Sequence, residues 1–239
     1  MNRREFIKKA GLISAGLSVT PFTSWGIDNE RLVILHTNDW HSHIDPFSAN
    51  HKKHPSMGGA SRRAAIIQEI RSKYKNVLLL DSGDIFQGTP YFNQYGGELE
   101  FKLMSEMGYD FATLGNHDFD GGIEGLDKQL PHANFRFLCA NYDFKNTLLD
   151  GKVKPYNIVK KGKFKIGIFG IGIELDGLVQ KIFMGILFIM IQLKKLINWQ
   201  KNSSPRAATW LFAFRIWDMN TNLIKSVIFY WQKIQNILT

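Results

Sequence analysis

From residue 31 onward, short apolar runs alternate with stretches of helical period. Arg31–Thr37 (RLVILHT) reads as a strand and Ala60–Tyr74 as an amphipathic helix. Val77–Asp81 (VLLLD) reads as a buried strand, apolar until its last residue. Glu98–Met107 returns to a helical period, Phe111–Leu114 is a short strand and Ile123–Leu130 a helix. Phe135–Ala140 and Lys165–Ile171 are further strands, and Lys160–Lys165 (KKGKFK) is a hairpin turn with exposed lysines. Strands alternating with helices predict an α/β layered fold. Polar residues cluster where these strands end, the usual place for ligands in open α/β sheets.

The pattern breaks at both ends of the chain. Residues 1–25 read as a signal peptide, a charged stretch followed by a moderately apolar run. Arg3–Arg4 followed by Phe6, Ile7 and Lys8 resembles a twin-arginine export signal, which predicts a periplasmic or extracellular location. The apolar run is shorter than the roughly 20 residues that cross a bilayer, so no stable membrane span is expected. After Val179 glycine all but vanishes: of 21 in the chain, only Gly185 lies beyond it. The same tail holds four of the six tryptophans, Trp199, Trp210, Trp217 and Trp231.

Charge changes the picture only once it is located. The net +9 of this 239-residue chain invites a nucleic-acid reading. Yet residues 180–239 carry 8 basic groups against 1 acidic, residues 1–25 add +3, and residues 26–179 sum to −1. The tail's basic residues are scattered and follow no binding motif, so no nucleic-acid partner is expected. The lone cysteine, Cys139, excludes an internal disulfide and a Cys-rich zinc module, and reads as a small core residue.

Three polar clusters carry candidate chemistry. In T-N-D-W-H, Asp39 and His41 stand two residues apart just past a strand, and in an extended chain both would point the same way. In L-L-L-D-S-G-D, Asp84 follows Gly83 after an apolar strand. L-G-N-H-D-F-D supplies Asn116, His117 and Asp120. Mixed oxygen and nitrogen donors of this kind suit Zn, Mn or Fe ions. Taken singly each cluster also fits a turn or helix cap. His36, His43, His51 and His54 read as solvated loop, and Arg62 and Arg63 as a solvated helix face.

The order D-x-H, G-D, G-N-H resembles calcineurin-like metallophosphoesterases. The forms I-L-H-T-N-D-W-H, D-S-G-D-I-F-Q-G-T-P and L-G-N-H-D-F-D look like the 5′-nucleotidase and UDP-sugar hydrolase branch, over residues 31–179. The resemblance implies a four-layer α/β/β/α metallophosphatase sandwich, here cut off after its first half. It implies two divalent metal ions: Asp39 and His41 on one, Asp84 bridging, and Asn116 on the second. Two cations about 3.5–4 Å apart would acidify a shared water, and metal-bound hydroxide would attack a nucleotide or other phosphoester. His117 would sit over the departing oxygen, oriented by Asp120.

The family next needs histidines in an L-S-H-L-G strand end and a G-H-x-H loop, and residues 180–239 contain no histidine. With one base restored near codon 180, the codons of 207–221 permit C-D-L-V-I-C-L-S-H-L-G-Y-E-Y, the missing His falling across Arg215 and Ile216. Residues 26–179 are therefore expected to be a partial phosphoesterase domain and 180–239 a frameshifted tail. An interfacial amphipathic helix over Met184–Leu196 is the alternative for that tail. Two functional expectations stand side by side: a 5′-nucleotidase-like phosphohydrolase, with a separate chain supplying the missing half, or an inactive truncated product with a partial metal site.

Overall fold

The computed structural model describes residues 31–179 and the backbone of Phe188–Ile189 and Trp210–Arg215. The export-signal reading of residues 1–25 lies outside the described residues, as does most of the tail reading. β1 (Leu32–Thr37), β2 (Asn76–Asp81), β3 (Phe111–Ala112) and β4 (Arg136–Phe137) form one parallel sheet in that order. A second sheet holds β6 (Tyr156–Lys161), β7 (Phe164–Ile171) and β9 (Trp210–Arg215), antiparallel then parallel. β5 (Tyr142–Asp143) and β8 (Phe188–Ile189) make a small antiparallel pair. The hairpin expected at 160–165 turns through Gly162 and Lys163, with Lys161 opposite Phe164.

β2 is buried at all six positions because both its faces are covered, one by the second sheet and the other by helices. Leu78 and Leu80 point into a cluster shared with Phe111, Leu138, Ile166 and Ile168, which joins the two sheets. Leu79 points the other way, into a larger cluster with Ile67, Phe101 and Met104 from the helices. Alternation along one strand thus separates a sheet–sheet core from a sheet–helix core. The described residues supply helix, sheet and sheet, three consecutive layers of the expected sandwich. Gly170 shows how closely the sheets approach: a Cβ there would lie 2.0 Å from the Leu138 carbonyl oxygen.

The helices are α1 (Ala60–Lys73), α2 (Pro90–Tyr95), α3 (Glu98–Met107) and α4 (Gly122–Gln129). α3 buries Phe101, Met104 and Met107, spaced by three, and each such side chain contributes about 1.5–3 kcal/mol of burial. It stops at left-handed Gly108, whose N–H returns to the carbonyls of Met104 and Ser105. Arg71, near the end of α1, donates to the carbonyls of Met107 and Gly108 and ties α1 to α3. α2 was not legible in the sequence, since six residues starting at Pro90 show too little periodicity. Strands expected over 111–114 and 135–140 shrink to two residues each: past Ala112 the chain leaves the sheet for the third motif, and Cys139 and Ala140 donate instead to the carbonyls of Lys154 and Gly170. No helix among the described residues is long and apolar enough to cross a membrane.

Candidate metal centre

Two loops leave the ends of β1 and β2 side by side, because those strands are parallel and in register from Leu32–Asn76 to Thr37–Asp81. Backbone bonds then zip the loops together: the N–H groups of Asp39, His41 and Ser42 donate to the carbonyls of Gly83, Asp84 and Ile85, each at 3.0 Å. Asp39, His41, Ser42 and Asp84 all have φ between 49° and 54°. Such left-handed backbone costs a non-glycine residue of order 1–3 kcal/mol, and here it falls on the candidate ligands. Asp39 and His41 do converge, but not through the extended backbone anticipated for them. The left-handed turns place His41 Nε2 3.7 Å from Asp39 Oδ1.

Donor atoms of Asp39, His41 and Asp84 lie within 4.8 Å of one another, close enough to hold one cation. Asp84 is 2% exposed, whereas the side chains of Asp39 and His41 are each 29% exposed, so the centre opens to solvent on one side. The Asp84 Oδ1 accepts the His117 N–H at 3.0 Å, which docks the third motif onto the second. Asn116, the preceding residue, is buried. His117 Nδ1 and Asp120 Oδ2 stand 2.8 Å apart, and the rings of His41 and His117 meet edge to face at 5.1 Å. The three motifs, spread along the chain from Asp39 to Asp120, thus face one mouth.

The Asp39 carboxylate beside it raises the pKa of His41 above its ordinary value. Burial raises that of Asp84, partly offset by the His117 N–H. A buried carboxyl whose ionised form is penalised is a position that a cation would compensate.

Sequence reasoning missed the supports beneath these ligands. Asp118 is 1% exposed and accepts four backbone N–H groups, from Asp84, Ile85, Phe86 and Gly115. Burial and the Asp84 charge push it up to about 8, against the pull of the Gly115 and Ile85 N–H groups. It sits in the quoted motif between His117 and Asp120, but nothing in the motif says that its side chain faces inward. Asp81, fully buried, is pushed up to about 6 by desolvation; it accepts the Gly83 N–H at 2.9 Å and the Thr37 hydroxyl at 2.5 Å. Arg63 is not on a solvated face: its guanidinium lies 4.4 Å over the Trp40 ring. Arg62 is exposed as expected and reaches the Ser56 carbonyl.

The extra histidines do not join the centre. His36 is an exposed residue of β1 rather than of a loop. His43 and His51 pack on Phe47 at 4.8 and 4.5 Å, and His54 donates its backbone N–H to His51 Nδ1. Cys139 is buried, its thiol 3.4 Å from Asn141 Oδ1. A groove of about 690 Å³ lies between Pro46, α1 and α3, but includes none of the three converging ligands. The carboxylates and imidazoles converge instead at the loops that follow β1 and β2.

Carboxylates and imidazoles thus gather at the strand ends of a layered α/β core, with donor atoms of Asp39, His41 and Asp84 spaced to hold a metal ion. Residues 32–212 match the calcineurin-like phosphoesterase family, and the chain belongs to it. It is 44% identical over 147 residues to the snake venom 5′-nucleotidase of Crotalus adamanteus, covering 59% of this chain and 25% of that protein. Among solved structures, the 5′-nucleotidase precursor from Thermus thermophilus superposes with a TM-score of 0.67 at 30% identity, over 76% of this chain and 36% of that one. The NAD nucleotidase of Haemophilus influenzae gives 0.67 at 32% identity, over 76% and 33%. The chain spans about a quarter of the length of the curated relatives it matches.

Proposed function

We propose that this chain carries the first half of the active centre of a 5′-nucleotidase-like phosphoester hydrolase. The observation that carries the reading is the convergence of Asp39, His41 and Asp84 beside the His117–Asp120 pair. Asp39 and His41 would hold one divalent cation, Asp84 would bridge to a second, and Asn116 would complete the contribution of these loops. The mixed O and N donor set suits Zn or Mn. Bound cations acidify a water and screen phosphoryl charge. Asp120 occupies His117 Nδ1, which leaves Nε2 as the nitrogen able to donate a proton to the departing oxygen. A nucleotide or related phosphoester as substrate is supported by the names of the relatives, and the Arg3–Arg4 segment supports export to the periplasm or beyond.

The second reading is an inactive product of a shifted frame, with residues 26–179 as the retained domain. It draws support from β9, which pairs in parallel with β7 from Ile166–Trp210 to Ile171–Arg215. β9 covers the codons that in the neighbouring frame permit L-V-I-C-L-S, so the strand's place is kept while its terminal histidine is lost. Metal content and AMP hydrolysis, measured on purified full-length chain and on His117→Ala, separate the two readings. Two bound metals and turnover that falls about 10²–10⁴-fold in His117→Ala support the hydrolase. Less than one metal and no turnover support the inactive product. Turnover by the purified chain alone would also dispense with a separate chain as supplier of the missing half. Reading the gene around codon 180 tests the frame directly: third bases incompatible with the second frame would sink that idea.

A further inference from the structure

We infer that Arg63 is a positioning residue that braces the two ligand-bearing loops against each other; the inference rests on the metal-site reading above. Trp40 stands between Asp39 and His41, is 2% exposed, and donates its indole N–H to the His43 carbonyl at 2.8 Å. The ring is thereby tied to the left-handed turn that aims both ligands. The Arg63 guanidinium carbon lies 4.4 Å from the centroid of that ring, within cation–π range. The same guanidinium charge acts on the Tyr109 hydroxyl and on Asp81, favouring the ionised form of each. Tyr109 shares a 2.8 Å hydrogen bond with the Thr37 hydroxyl, which donates to Asp81 Oδ2. Asp81 Oδ1 in turn holds the Gly83 N–H, one residue before Asp84. One cation therefore stacks on the first loop through Trp40 and acts on the second through the Tyr109–Thr37–Asp81 chain of hydrogen bonds.

The platform under this brace is rigid, since α1 is fastened to α3 by Arg71 at its far end. Arg63 Nη1 is buried and makes no hydrogen bond, so hydrogen bonding alone does not explain why the group lies here. Supports of ligating side chains typically change metal affinity 10–100-fold when removed.

The test is calorimetric titration of full-length chain with Mn²⁺ alone, for wild type, Arg63→Met and Arg63→Lys, beside thermal unfolding in chelator. Arg63→Met is expected to weaken Mn²⁺ binding about 10–100-fold with its metal-free unfolding temperature close to wild type. Arg63→Lys, which keeps the charge but not the planar stack, should recover part of the affinity. Equal affinity in wild type and Arg63→Met overturns the brace and leaves the metal-site reading standing. A loss that only follows falling metal-free stability also overturns it. Should Arg63→Met fail to fold, Arg63→Lys carries the comparison: weaker binding at an unchanged unfolding temperature supports the brace, and unchanged binding overturns it. A wild type that takes up no Mn²⁺ overturns the metal-site reading and the brace with it.

Discussion

Replacing Asp118 by Asn tests whether one buried carboxylate holds the site's loops together. Its Oδ1 accepts Ile85 and Phe86 at 2.9 and 3.3 Å, and its Oδ2 accepts Asp84 and Gly115 at 3.0 and 2.8 Å. An amide has one acceptor oxygen, so two of these four N–H groups would face another donor. The longer Phe86 bond marks the Oδ1 side as the weaker pair, and the new NH₂ should turn toward it. Each buried donor left without a partner costs about 1–3 kcal/mol, so the substitution should cost about 2–6 kcal/mol. That is a large share of the roughly 5–15 kcal/mol typical of a whole domain. Urea unfolding in chelator, at a pH above about 8 where the Asp118 carboxyl is ionised, measures the loss. Amide exchange should place it at Ile85 and Phe86 first. A variant within about 0.5 kcal/mol of wild type, inside the usual range for surface changes, would falsify the assignment of Asp118 as the anchor of this junction.

Four further outcomes follow from the same geometry. Gly88→Ala should weaken Mn²⁺ binding, because φ is +115° and a Cβ would lie 2.7 Å from the His41 carbonyl oxygen, a backbone atom that cannot step aside; retention of wild-type affinity would contradict the packing of that loop. Metal uptake should decline as pH falls through the raised pKa of His41, above its ordinary 6.5, since a protonated imidazole cannot ligate. In the metal-free protein the sign reverses: the His41–Asp39 pair stabilises the fold fully below the ordinary pKa and is lost as pH rises through the raised one, which unfolding at several pH values in chelator would show. Glu100→Met should raise the unfolding temperature, because both carboxylate oxygens are buried and make no hydrogen bond; relief of such a group is worth about 1–3 kcal/mol, and a lower temperature would show that the carboxylate has a partner.

The sequence by itself determined the periodic elements and the family. β2 was readable because a strand buried on both faces must be apolar, and α3 because Phe101, Met104 and Met107 repeat at a helical spacing. The three motifs were readable because each keeps its polar residues within a few positions of a strand end. The calcineurin-like family follows from their order. Tertiary structure decided what short spacing cannot carry. Left-handed backbone at Asp39, His41 and Asp84 depends on the zipping of two loops that lie about 45 residues apart in the chain. The inward turn of Asp118 and the seat of Arg63 over Trp40 depend on partners that local sequence does not specify. A residue's type limits the bonds it can make, but only the packed chain sets which of those bonds water would otherwise have taken.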